Sequence, residues 1–327
     1  MTTHSREQGR GGPALAIINP KSGGGRTGQA LGDLRRVMDN ALGPVDVALT
    51  ERPRHATEIA RDAALDGRET VIAVGGDGSI HEVVNGLMQA RERGAKGTRL
   101  GVVGQGTGGD FRKTLGLEHR LDRYLAAIAG GCTKRIDVGR FDYTTNEGGP
   151  GKAWFVNILS AGMGGLVDRY VHEMGAGWLG GKAAYFAASA RGLIESELGE
   201  SRVIATLAGS DGGGRARVAP DLDLHGKFFG SGMMVGPMAE PDDGIFEVVD
   251  LGPSSKLGFL TFSRKIYDGS HMRHPNVRHL RGDHVRVELK NARVRDKFLL
   301  DVDGEQLGKL PIDVTVERGA IEVLVPP

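Results

Sequence analysis

TVIAVGGDGSIHEVVNGLM, residues Thr70–Met88, divides into three parts. Val71, Ile72, Ala73 and Val74 make a short, partly β-branched apolar run of the kind that fills a buried strand. Gly75-Gly76-Asp77-Gly78-Ser79 follows directly, and its glycines let the backbone turn sharply and come close to a ligand. Ile80, Val83, Val84 and Leu87 then recur at helical spacing, with Glu82 and Asn85 off that stripe. Strand, glycine turn and helix start together aim backbone N–H groups and a helix dipole at a phosphate. Asp77 would repel a bare phosphate, so the pattern reads as a nucleotide triphosphate site with a cation between. The competing reading is a plain βα turn in which Asp77 is only a helix N-cap.

Two more turns of the same kind lower the weight of that alternative. Ala14–Asn19 reads as a buried first strand, followed by Pro20-Lys21-Ser22-Gly23-Gly24-Gly25-Arg26. Leu100–Val103 reads as a fourth strand, followed by Gly104-Gln105-Gly106-Thr107-Gly108-Gly109-Asp110. Between them lie a helix on Leu31, Leu34, Val37 and Met38, a strand at Val45–Leu49 ending in Thr50, and a helix at Ala56–Leu65. A helix after Asp122 and a strand near Arg135–Val138 follow. Alternating β and α units imply a parallel sheet with ligands at the carboxyl ends of its strands.

Beyond a polar connector near Phe141–Lys152, short alternating runs take over. They are Trp154–Leu159, Val203–Leu207, Arg215–Val218, Phe228–Val235, Ile245–Leu251, Val285–Leu289, Phe298–Val302, Ile312–Val316 and Ile321–Val325. Period-two alternation with frequent turns predicts an antiparallel sandwich or barrel-like sheet. Helical inserts are expected at about Leu179–Glu195 and Ser255–Tyr267. The expected organisation is a loose tail at 1–12, an α/β nucleotide-binding domain at 13–142, and a larger β-rich substrate domain at 143–327. The fold class is thus α/β plus β.

Composition excludes several classes. The chain has 327 residues, with 42 basic against 41 acidic side chains, which argues against a nucleic-acid binder driven by bulk charge. Glycine, 53 residues, clusters at turns without a three-residue period, so collagen-like readings fail. A single cysteine, Cys132, leaves no internal disulfide or thiolate cluster and suits a reducing cytoplasm. No run approaches the 18 or so apolar residues of a membrane span. The first dozen residues lack the apolar core of a secretory signal.

Gly104-x-Gly106-x-x-Gly109 formally matches a dinucleotide fingerprint, but it follows the fourth strand and no acid stands about 20 positions on. The P-loop and G-x-S-x-G patterns are absent. His271, His274, His279 and His284 fit no zinc spacing, and their segment reads as a solvated basic edge or a face toward anionic lipid. Trp178, Leu179, Tyr185, Phe186, Leu193 and Ile194 form an apolar set, either core or the wall of an acyl-chain pocket. Asp301-Val302-Asp303-Gly304-Glu305 closes a strand, with Asp303 and Glu305 expected on one face. Such carboxylates can bind a cation or take a proton, or can simply flank a D-G hairpin. Glu240-Pro241-Asp242-Asp243-Gly244 is either a plain turn or a hard-cation loop.

Taken together, the motifs resemble the catalytic domain shared by diacylglycerol kinases, sphingosine and ceramide kinases and their soluble bacterial relatives. The matching pieces, in the family's order, are NPKSGGGR at Asn19–Arg26, GGDGS at Gly75–Ser79, GTGGD at Gly106–Asp110, PDDGIFEVV at Pro241–Val249 and VDGE at Val302–Glu305. The resemblance implies an ATP- and Mg2+-dependent lipid kinase acting in the cleft between its two halves. Asn19, Pro20, Lys21, Ser22, Gly23, Thr50, Gly75, Gly76, Asp77, Gly78, Ser79, Ile80, His81, Gly106, Thr107 and Gly108 would line the nucleotide. Asp77 and Asp110 would hold magnesium and water around the phosphates. Asp303 would be the general base with Glu305 in support, although some family assignments give that role to the aspartate of the glycine turn, here Asp77. Glu240, Asp243 and the Ile245 carbonyl match the family's structural magnesium site.

Diacylglycerol is the first expected acceptor, with a sphingoid base or ceramide next, in phospholipid biosynthesis at the cytoplasmic membrane surface. A homodimer is left open. Other classes weighed are a non-catalytic lipid- or nucleotide-binding module and a soluble-substrate kinase related to NAD kinases, which share the GGDG turn. Two departures from the family are plain. Gly109 stands where asparagine is usual, and Asn157–Arg169 matches the family's glycine-rich segment only loosely.

Overall fold

The computed structural model describes residues 12–106, 108–162, 203–208, 214–218, 221–224, 226–230, 232–251, 264–289 and 299–327. The tail through residue 11, Thr107, the expected helix Leu179–Glu195 with its apolar set, and most of Ser255–Tyr267 lie outside them.

The first half alternates β1 (Leu15–Ile18), α1 (Arg26–Gln29), α2 (Leu31–Leu42), β2 (Asp46–Leu49), α3 (His55–Leu65), β3 (Thr70–Gly75), α4 (Asp77–Glu92), β4 (Arg99–Gly104), α5 (Asp110–Thr114) and α6 (Leu121–Gly130). β3 reads as buried at every position, as its unbroken apolar run requires. The four strands are parallel in the order β2-β1-β3-β4. The chain steps one way from β1 to β2 and then returns to β1's other side for β3. That reversal opens a crevice at the carboxyl ends of β1 and β3, the place where open α/β sheets bind ligands. Helix α3 packs on α4, and α2 on α6, covering the sheet over a core that includes Ile17, Ile72, Val74, Val84 and Tyr124.

The second half comprises β5 (Thr133–Thr144), β6 (Pro150–Phe155), β7 (Leu159–Gly162), β8 (Val203–Ala208), β9 (Gly214–Val218), β10 (Asp221–Leu224), β11 (Phe246–Asp250), β12 (Arg278–Gly282), β13 (His284–Leu289), β14 (Leu299–Val302) and β15 (Glu305–Leu324). Pairing among these strands is antiparallel, as the alternation predicts. Phe141, Phe155, Phe246, Val287, Leu300 and Ile312 meet in a second core.

Three expectations change. Ile312–Val316 and Ile321–Val325 are not separate strands but parts of β15, which runs 20 residues and shifts register against β5 between Glu317 and Ile321. Gly319, at φ 53°, takes the backbone through that irregularity. The far end of β15 pairs in parallel with β4, Glu322 opposite Arg99, so the chain's last strand completes the first sheet. Phe228–Val235 is no strand among the described residues but a loop with one Phe229–Met233 bridge, broken by Gly230 and Gly232 at positive φ. The basic edge is largely compensated: Arg278 pairs with Asp250, His279 with Glu247, Arg281 with Glu247 and Asp243, His284 with Asp313 and Arg286 with Glu288.

Candidate active site

The three glycine turns meet. The Asn19 N–H donates to the Val74 carbonyl at 3.1 Å, and its Nδ2 donates to Ser79 Oγ at 3.4 Å, tying the first turn to the second. A Cβ on Gly23 would stand 2.8 Å from the Gln105 carbonyl, so the first turn also rests on the third. A Cβ on Gly106 would lie 2.8 Å from Gly76 Cα. Glycine is required here because two backbones pass without room for a side chain. Ser22 Oγ donates to the Asn19 carbonyl and the Gly28 N–H to the Pro20 carbonyl, which closes the first turn on itself. Lys21 is exposed at its tip, and Thr50 leaves β2 at the same end of the sheet, its N–H on the Ile18 carbonyl. Gly75 and Gly108 belong to these turns as expected.

Asp77 opens α4, yet it caps a different helix. Its carboxylate accepts the N–H groups of Asp110 and Phe111 at 3.2 and 3.3 Å, the first turn of α5. Burial pushes the Asp77 carboxyl up to about 6, and the charge of Asp110 adds to this; the two N–H donors work against it, and Asp303 contributes a smaller push. Asp110 itself is buried and takes Lys113 Nζ at 2.6 Å.

The acidic hairpin arrives from the other end of the chain. β14 and β15 pair Val302 opposite Glu305, leaving Asp303-Gly304 as a two-residue loop. Both loop residues have positive φ, 54° and 86°, the signature of a type I′ hairpin. Asp303 and Glu305 are therefore not neighbours on one strand face, as expected from sequence; the turn separates them. Glu305 reaches the glycine turn, and a Cβ on Gly78 would run into its carboxylate. Asp303 is 3% exposed, and its two oxygens accept four donors: the N–H groups of Val156, Asn157 and Ile158 at 3.1, 3.0 and 2.9 Å, and His81 Nδ1 at 3.2 Å. Four donors fill the lone-pair positions of a carboxylate.

Two residues expected at the nucleotide turn their side chains away from the glycine turn. Ile80 is buried in the first core, and His81 turns inward to Asp303. The spacing signal was sound for the turn but could not tell which way α4 rolls.

Comparison with known proteins gives the same architecture. The model of the diacylglycerol kinase catalytic domain matches residues 13–141. The model of the YegS C-terminal NAD kinase beta sandwich-like domain matches residues 157–325, more than half of the chain. The chain belongs to the diacylglycerol kinase catalytic-domain family. Curated relatives named diacylglycerol kinase include one from Mycobacterium tuberculosis, 26% identical over 323 residues, and one from Bacillus subtilis, 27% identical over 330. Each alignment covers 96% of both chains. A diacylglycerol kinase crystal structure from Bacillus anthracis superposes with a TM-score of 0.66 at 19% identity, over 96% of this chain and 97% of that one. A second chain from the same organism reaches 0.73 at 21% identity, with the same coverage. By family the enzyme is a lipid kinase.

In this family member no group of three His, Cys, Asp or Glu side chains among the described residues forms a ready metal cage. A hydrated Mg2+ does not need one, since it commonly takes one or two carboxylates plus substrate phosphates. The raised proton affinity of Asp77 beside Asp110 marks a surplus of negative charge of the kind a cation relieves. The turn at Glu240–Gly244 is different. Asp243 accepts the Ile245 N–H at 3.1 Å and meets Arg281 at 3.3 Å, while Glu240 is exposed. Asp137, buried at 2% exposure, fastens this turn: it accepts the Gly244 and Gly319 N–H groups at 2.6 and 2.7 Å. Arg281 thus holds, on Asp243, the charge position expected of a structural magnesium at Glu240, Asp243 and Ile245, and a cation there would have to displace it.

Asp137, Asn85 and Glu82 escaped the sequence. Glu82 accepts the Arg54 and Ala56 N–H groups and caps α3. Asn85 is buried, four residues after His81 on the same face of α4, and that i, i+4 spacing was the available signal.

Proposed function

We propose that the enzyme transfers the γ-phosphate of ATP, with Mg2+, to the hydroxyl of a lipid such as diacylglycerol. The observation that carries this is the meeting of three glycine turns at the sheet's switch point with the acidic hairpin, Glu305 lying against Gly78. Phosphoryl transfer asks mainly for positioning and charge neutralisation, which backbone N–H groups and a cation supply. Bound Mg2+ would neutralise the phosphates, with Asp110 and Glu305 as its protein carboxylates. Asp77 suits the proton acceptor, because its carboxyl lies near 6 and general bases work best close to the operating pH. Asp303, the acceptor first expected, has its oxygens filled by N–H donors and serves to hold the hairpin. The α/β unit at 13–142 would carry ATP and the β-rich unit at 143–327 the lipid. No helix among the described residues is long and apolar enough to cross a membrane, so the lipid would be met at a membrane surface.

The test is transfer from radiolabelled ATP to mixed micelles holding diacylglycerol, sphingosine or ceramide, with NAD as a water-soluble acceptor alongside. Label in a lipid phosphate is expected. Measurable ATP binding without any labelled lipid would leave a binding module, and label in NAD would move the acceptor to the aqueous phase.

A further inference from the structure

His81 has a job that its place in the glycine-turn motif conceals. It lies four residues after Asp77 on α4, one turn deeper, and its side chain is 6% exposed. Nδ1 stands 3.2 Å from Asp303 Oδ2, and Nε2 stands 3.2 Å from Asn85 Nδ2. Asn85 cannot be turned over. The Trp154 N–H donates to Asn85 Oδ1 at 3.0 Å, and Asn85 Nδ2 donates to the Trp154 carbonyl at 2.9 Å and to the His81 carbonyl at 2.9 Å. An NH2 group therefore faces His81 Nε2, which must keep its lone pair. The ring hydrogen belongs on Nδ1, aimed at Asp303.

Asp303 in turn sits at a positive φ that non-glycine residues seldom adopt, held by the N–H groups of Val156, Asn157 and Ile158. Those three belong to the chain between β6 and β7. His81 thus links the helix carrying Asp77 to the hairpin carrying Glu305 through the buried Asp303, beside the contact that Glu305 makes with Gly78.

We propose that His81, as a neutral imidazole with its hydrogen on Nδ1, is a positioning residue. Through Asp303 it sets the acidic hairpin at a fixed distance from the Asp77 turn, and it does not bind the nucleotide. The proposal rests on the kinase reading for its consequence in turnover and on geometry alone for the clasp.

Two measurements separate these. In protein with 15N-labelled histidine at pH 7.5, the resonance lost in His81→Leu should show the Nδ1–H tautomer; an Nε2–H tautomer or a charged ring overturns the clasp whatever the lipid assay reads. In the labelled-ATP assay, His81→Leu should lower kcat at least tenfold while calorimetry finds ATP affinity within about twofold of wild type. His81→Asn places an amide N–H close to the Nδ1 position and should recover kcat to within about threefold. A tenfold loss of ATP affinity in His81→Leu, unchanged kcat, or Asn no better than Leu, would each overturn the positioning role. Wild type with no lipid kinase activity but the expected tautomer would overturn the kinase reading and leave the clasp.

Discussion

At the scale of single residues, Asp77 joins stability to function with opposite signs. Its carboxyl is raised from 3.8 to about 6 in the folded protein, so its protonated form is the one folding favours. The stability linked to this group is complete below about pH 4 and is lost as pH rises through about 6. Asp77→Asn sets an NH2 against one of the two N–H donors at every pH, so the signature is in the pH dependence: its melting temperature relative to wild type should rise from pH 3.5 to pH 7.5, by about 2 to 4 °C per kcal/mol in a calorimetric scan. The same variant should lose at least about a hundredfold in turnover, the low end for a missing general base. Wild-type turnover should climb with pH as the carboxylate forms, with its midpoint below about 6 when Mg2+ is bound beside it, in a pH-rate profile. Gly109 offers a second residue-scale prediction. It has φ 60°, and a Cβ there would collide with the Arg112 side chain. Arg112, whose buried Nε has no hydrogen-bond partner among the described residues, occupies the space that a side chain at 109 would need. Gly109→Asn should lower the melting temperature by several degrees, and Gly109→Asn with Arg112→Ala should recover most of the loss.

At the scale of elements, the hairpin and the turn at Glu240–Gly244 are both held by carboxylates that take backbone N–H groups. Asp303→Asn places an amide NH2 among donors and removes charge-assisted hydrogen bonds worth about 1.5–3 kcal/mol each. The expected result is a melting temperature lower by about 5 °C or more, with faster hydrogen exchange at Val156, Asn157 and Ile158. At the second turn, Arg281→Gln should destabilise the protein, since it leaves buried Glu247 with His279 alone of its two partners, whereas a chelator without nucleotide should leave the melting temperature unchanged. Element identity was legible where a pattern is local. The run Val71–Val74 and its glycine turn name β3 and the start of α4 without further information. β15 was not, because Glu317-Arg318-Gly319-Ala320 has the chemistry of a turn and only the partner strands carry the chain through it. Alternation runs up to Asp303 and predicts a strand position for it, while the D-G pair puts it in the loop.

At the scale of the whole molecule, the site is built by contacts far apart in sequence. Asp77 and Asp303 influence each other across more than 200 positions, and β15 closes the first sheet against β4. Sequence could set the motifs in order, but the roll of α4 and the path of β15 are decided by which cores they fill. That is why the inward turn of the Ile80 and His81 side chains, and the roles of Asn85 and Asp137, are legible only in the structure. The central claim is that the glycine turns and the acidic hairpin form a single phosphoryl-transfer site. The most direct measurement is a crystal structure with a non-hydrolysable ATP analogue and Mg2+. The triphosphate should lie on the turns at Gly23, Gly76 and Gly106, with its terminal phosphate between Asp77 and Glu305; a nucleotide bound at the other end of the sheet, away from the hairpin, would contradict it.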